Sequence, residues 1–214
     1  MQDSRFIKWW LRLIWVLVIL LALIGIGMVL RRSLILAGMI PSVNPAGGKP
    51  FDDKITSQPV LTFVHMLPGL LFMILGPLQF IPRFQMRYPR FHRRSGRVFV
   101  VCAYLVGLSA LVMAFRAPIG GVNETAATAF YAIFFLVALS LALRYILRKQ
   151  VLLHREWMLR AFAIGLAVAT IRPIVGIFFA FSGLSPQVFF GTAFWIGFTL
   201  HLVAAEVWIN CTRS

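Results

Sequence analysis

The chain has 214 residues and a formal net charge of +15, which taken alone suggests a nucleic-acid binder. The rest of the composition excludes that class: 60% of the residues are hydrophobic and only 13% are charged, about half the ~25% of soluble globular domains. A soluble domain of this length could not cover so much apolar surface. Disorder, collagen-like repeats and a disulfide scaffold are excluded too, since Cys102 and Cys211 stand far apart in or beside apolar runs.

Uncharged stretches cover residues 13–30, 55–82, 98–115, 125–143, 161–171 and 173–205. A hydrocarbon core ~30 Å thick needs ~20 helical residues, and 161–205 is long enough for two spans if it breaks once. Ser182-Gly183-Leu184-Ser185-Pro186 supplies the break. The reading is therefore an all-α, polytopic membrane bundle with six transmembrane helices at 9–30, 59–81, 97–116, 126–147, 158–182 and 187–209. Residues 1–58 form an N-terminal anchor helix plus an external loop, and 59–214 a five-helix core with two Arg/His-rich loops. The first apolar run is longer than the ~7–15 residues of a signal-peptide core and ends at Arg31-Arg32, so it is read as a retained anchor. Ser33–Ile40 is expected to be a separate interfacial turn, and 41–58 a loop rich in Pro, Gly and Asp.

Orientation follows from Lys and Arg in the short loops. With the N-terminus in the cytoplasm, the inner side holds fifteen of the twenty-one bases, including Arg83, Arg87, Arg90, Arg93, Arg94 and Arg97 in one loop and Arg144, Arg148, Lys149, Arg155 and Arg160 in another. The outer side holds Arg31, Arg32, Lys49, Lys54 and Arg116, and Arg172 remains inside a helix. An even number of spans places both termini in the cytoplasm, and the expected location is a cell membrane, the bacterial inner or plasma membrane.

Chemistry is confined to few residues. His92 and His154 flank the inner surface at matching depth, each beside an arginine. Such a pair could hold one b-type haem, with arginines meeting its propionates. The alternative is a pair of interfacial histidines among topology-setting arginines. His65 and His201 are the other haem-ligand candidates, but they differ in depth by ~12 Å, whereas two axial ligands of one iron must lie level. No metal beyond haem iron is expected.

The helices that begin in the two inner loops point their N-termini at Arg93, Arg97, Arg155 and Arg160. Phosphate or an anionic lipid headgroup would be attracted there. Arg172 is costlier. Near the bilayer midplane an arginine costs at least ~2.5–3.5 kcal/mol, so it faces the bundle interior or a wet cavity. Pro173 follows it, and Pro68-Gly69 and Gly76-Pro77 interrupt the second span, so Arg172, His65 and Gln79 are expected to line a polar pocket between the second and fifth spans. Glu206 is expected to pair with a loop arginine. Asn123-Glu124-Thr125 is a glycosylation sequon by chance.

No hydrolase, kinase, protease or dinucleotide-binding motif is present. Two functional readings stand: a haem b electron-transfer protein with a redox or membrane partner, and a transporter-like protein that handles small solutes or lipids, with an anion or phosphate-headgroup site on the cytoplasmic face. The bilayer and anionic lipids are expected partners, nucleic acid is not.

The segments His65-Met66-Leu67-Pro68-Gly69, Gly76-Pro77-Leu78-Gln79-Phe80, Pro89-Arg90-Phe91-His92-Arg93-Arg94-Ser95-Gly96-Arg97-Val98 and His154-Arg155-Glu156-Trp157-Met158-Leu159-Arg160 resemble the integral membrane proteins grouped as domain of unknown function 2306. The resemblance spans roughly residues 55–210 and implies a multi-helix membrane protein without an established activity. More loosely, histidines that begin helices resemble b-type cytochrome and ferric-reductase-like bundles.

Overall fold

A computed structural model describes residues 4–40, 57–116 and 118–213. The loop expected at 41–58, with Lys49, Asp52, Asp53 and Lys54, lies outside the described residues except for its last two positions. Seven helices follow one another: α1 Ser4–Leu36, α2 Pro59–Gln79, α3 Pro82–Arg87, α4 Pro89–Arg116, α5 Gly121–Leu147, α6 Val151–Phe181 and α7 Pro186–Thr212. All but α3 contain a stretch long and apolar enough to cross a bilayer. Backbone groups in hydrocarbon must be satisfied within the segment, and uninterrupted helices do this.

The helices begin and end differently from the sequence reading. α1 continues through Arg31 and Arg32 to Leu36, and only residues 37–40 turn, so the arginine pair does not close the span. α4 begins at Pro89 and α6 at Val151. His92 and His154 thus stand in the first turns of helices and not in flanking loops, because arginine has good helix propensity and its long side chain can reach water from an interfacial turn. The short α3 lies between two prolines, Pro82 at its first position and Pro89 just beyond its end. α2 and α6 run on through Pro68, Pro77 and Pro173.

Three short links, of which the structure describes residues 118–120, 148–150 and 182–185, make sequential helices antiparallel. The tightest, between α5 and α6, closes with Lys149 at φ 61° and the Gln150 N–H donating to the Tyr145 carbonyl at 2.9 Å. One end of the bundle therefore carries the arginine clusters around α3, the start of α4 and the α5–α6 turn; we refer to it as the arginine-rich end.

α1 packs on α2 and α6, α2 on α4, α4 on α5 and α5 on α6, so five helices close a ring; α7 packs against α5 and α6. Outward faces present Leu20, Leu23, Ile74, Val101, Leu108, Ile133, Ile177 and Val203 as exposed side chains, the surface that lipid covers. Inside the ring the core is aromatic. Phe72 stacks on Phe99 with ring centroids 4.7 Å apart and meets Phe135 and Phe162 at 5.9 and 5.8 Å. Gly165 leaves space for this, because a Cβ there would run into the Phe72 ring. Gly76, a helix break on sequence grounds, instead makes room for Phe162, whose ring occupies the place of an added Cβ.

Candidate functional site

Above the aromatic floor the interior of the ring is not completely filled by side chains. It leaves a cavity of about 150 Å³ in the half of the bundle away from the arginine-rich end. The wall is built by helical periodicity, with residues three and four apart sharing a face. α1 contributes Gly25, Met28, Val29 and Arg32; α2 His65, Met66, Gly69, Phe72 and Met73; α6 Ile164, Gly165, Val168, Ala169 and Arg172. Val106, Gly107 and Ala110 of α4 and Thr128, Tyr131, Ala132 and Phe135 of α5 complete it, with Phe198 of α7 reaching between neighbours. Arg32 lies four residues from the end of α1, His65 six residues into α2, Thr128 seven into α5 and Arg172 nine from the end of α6. At 1.5 Å per residue the polar groups gather roughly 6–14 Å below that end of the bundle.

The wall is apolar apart from these groups. Arg32 and Arg172 both act electrostatically on His65. His65 Nδ1 lies 3.0 Å from Ser109 Oγ on α4. Thr128 Oγ1 is buried without a hydrogen-bond partner. Among the described residues no hydrogen bond or ion pair reaches Arg172; Glu124 acts on it at longer range. The Glu124 carboxylate accepts hydrogen bonds from the Ile119 and Gly120 N–H groups at 2.5 and 2.7 Å, as an acid at a helix N-terminus does. Tyr131 directs its hydroxyl to Thr199 at 2.7 Å, which leaves its ring as a wall.

Of the residues expected in this pocket, Arg172 and His65 come together and Gln79 does not join them. Gln79 ends α2, fourteen residues beyond His65 and so about 21 Å along the axis. Its side chain is buried against α4, where Nε2 donates to Ser95 Oγ at 2.9 Å. Arg32, Ser109 and Thr128 do not stand out in the sequence. The stop signal in Arg31-Arg32 masks the first. A hydroxyl at helical spacing within an apolar run is the available sign of the others.

The histidines take separate places. His201 pairs through Nε2 with Thr170 Oγ1 at 2.7 Å, joining α7 to α6. His154 Nδ1 donates to the Ala142 carbonyl at 2.9 Å. His92 Nδ1 is buried without a partner, and the two imidazoles are near enough to interact electrostatically. Neither lines the Arg172 cavity.

At the arginine-rich end Arg93, Arg97 and Arg155 are exposed, but Arg160 is committed. Its Nε and Nη2 donate to Glu206 Oε1 and Oε2 at 2.5 and 2.8 Å, and its guanidinium lies 4.7 Å over the Trp157 ring. Glu206 thus pairs with an arginine, but with one nine residues inside α6 and not in a loop. Glu156 accepts two bonds from Arg213 at 2.9 and 2.8 Å, and these hold the Arg213 guanidinium above its ordinary value. Arg160 is therefore the counter-ion of a carboxylate and not an open anion site. Asn123, the sequon residue, accepts from Trp195 Nε1 at 3.0 Å, a contact between α5 and α7.

Six apolar spans, five of whose helices form a ring around a cavity lined in part by Arg32, His65 and Arg172, define a polytopic α-helical membrane protein. The sequence profile of the predicted membrane proteins designated DUF2306 matches residues 62–209, and the chain belongs to that family. The match includes every cavity-lining residue except those of α1. No curated protein and no solved structure matches the chain.

Proposed function

We propose that this protein binds a small anionic solute inside the membrane, in the cavity around Arg172, and handles that solute as a transporter-like protein. One observation carries the reading: Arg172, nine residues from the end of the apolar helix α6, lines a cavity with no hydrogen bond or ion pair to any described residue. An uncompensated intramembrane arginine is costly, and a bound anion offsets that cost with charge-assisted hydrogen bonds. Arg32 adds a second cation and Thr128 an unused hydroxyl. A 150 Å³ space is the size that accommodates benzene, which suits a solute of a few heavy atoms and not a porphyrin.

The bundle sits in a cell membrane with its arginine-rich end and both termini in the cytoplasm, in accord with the distribution of Lys and Arg. Arg93, Arg97 and Arg155 face anionic headgroups there. Haem ligation by His92 and His154 has less support, because neither residue opens onto the cavity.

The test is ligand-dependent thermal stability of the purified full chain in lipid nanodiscs. Acetate, lactate, phosphate and chloride are each compared with a bulky disulfonate at matched ionic strength. At least one small anion should raise the melting temperature saturably, by the equivalent of about 2.7 kcal/mol at a hundredfold excess over Kd, and Arg172→Leu should abolish the rise. No small anion exceeding the disulfonate, or a Soret band that His92→Ala and His154→Ala remove, would overturn the reading.

A further inference from the structure

We propose that the cavity selects small oxyanions that carry a hydroxyl group, with the short 2-hydroxymonocarboxylates as the ligand class, and that neutral His65 accepts the hydrogen of that hydroxyl. The inference rests on the anion site at Arg172 and adds the chemistry beside it. Ser109 Oγ lies 2.5 Å from the Leu105 carbonyl oxygen and 3.1 Å from that of Val106. Two oxygens that close need a hydrogen between them, and a serine has only one to give. Ser109 therefore meets His65 as an acceptor, and the 3.0 Å contact has His65 Nδ1–H as its donor. In a neutral imidazole with its hydrogen on Nδ1, Nε2 is purely an acceptor.

The cavity thus combines two cations, Arg32 from α1 and Arg172 from α6, with one acceptor from α2 and the hydroxyl of Thr128 from α5. Among the described residues no carboxylate lines it, and Glu124, which acts on Arg172 at longer range, is held by backbone N–H groups. A bare carboxylate would satisfy the Arg172 guanidinium and leave Nε2 unmet. A 2-hydroxycarboxylate satisfies both, since its hydroxyl hydrogen stands next to the carboxylate carbon. Its short carbon chain packs on the apolar wall of Val106, Ala132 and Val168. No proton changes owner on binding: the ligand keeps its hydroxyl hydrogen and the ring keeps its Nδ1 hydrogen. Sites built to hydrogen-bond a substrate hydroxyl reject the analogue that lacks it far more strongly than apolar pockets discriminate by size.

The experiment compares L-lactate with propionate, which differ by that hydroxyl, on the full chain in nanodiscs by calorimetric titration. Lactate should bind at least about tenfold more tightly, a difference of about 1.4 kcal/mol. His65→Leu should bring the ratio close to one while propionate affinity is retained. Ser109→Ala, which frees the ring to change tautomer, should lower the ratio with less risk to folding. Nitrogen-15 spectra of labelled histidine should show a Nδ1-protonated neutral ring for His65. Equal binding of the two acids to the unaltered protein, or a ratio unchanged in His65→Leu, would overturn the selection while leaving the anion site standing. Binding of neither acid, with no response lost in Arg172→Leu, would overturn the anion site as well.

Discussion

The two ends of the bundle treat arginine in opposite ways. At the arginine-rich end Arg160, with 12% of its side chain exposed, is met by both oxygens of Glu206, and Glu156 lies 3.9 Å away and carries Arg213. In the cavity at the other end Arg172 has no such partner among the described residues, and Glu124, which acts on it at longer range, is occupied with the N-terminus of α5. A guanidinium that serves folding is given a carboxylate with matched geometry. One left facing a cavity keeps its donors for something that arrives later. The contrast predicts that removing Arg160's partner harms the fold, whereas removing Arg172 itself harms only ligand binding.

The largest structural effect should come from Glu206→Leu, which strands the Arg160 guanidinium. Breaking such a pair from one side should cost about 2–3 kcal/mol, less than the ~3–5 kcal/mol of a fully buried pair because Glu206 is 41% exposed and Glu156 remains 3.9 Å from Arg160. Adding Arg160→Leu should recover most of the loss. Thermal melts followed by tryptophan fluorescence would measure both, and a double variant as unstable as the single one would break the comparison.

Gly165→Ala addresses the cavity floor. Its new methyl group would meet a Phe72 ring that is 1% exposed and stacked on Phe99. Overpacking of this kind costs about 1–3 kcal/mol, and the displaced ring should also weaken any anion-dependent stabilisation. A melting temperature equal to the unaltered protein's would show that the floor yields. The smallest effect belongs to Arg213→Ala: this pair is solvent-exposed on the arginine side, and exposed ion pairs contribute little. Its melting curve should nearly superimpose on that of the unaltered chain at 0.15 M salt.

All six spans are visible in the sequence because uncharged runs of this length are poorly soluble unless a bilayer covers them. Their ends are less visible. Charged residues look like boundaries, yet α4 carries Arg90, Arg93, Arg94 and Arg97 in its first turns and α1 carries Arg31 and Arg32 in its last, since a long basic side chain can leave the membrane while its backbone stays helical. The same misplacement hides Arg32 from the candidate site. Arg172 is legible from cost alone, and His65 from its depth. Gln79 falls into the wrong company because sharing a helix with His65 says nothing about sharing a depth. Which histidines meet one another, and that His201 turns to Thr170, depends on helix rotation, and the weak amphipathicity of lipid-facing helices leaves little trace of it in sequence.

The central claim is that Arg172 is kept for a ligand and not for the fold. Its most direct test is to measure, on one preparation of Arg172→Leu in nanodiscs, both the melting temperature without ligand and the equilibrium binding of radiolabelled L-lactate. The account predicts a melting temperature equal to or above that of the unaltered protein, since an uncompensated buried charge has been removed, together with loss of saturable binding. A protein that melts earlier yet binds lactate as before would contradict it.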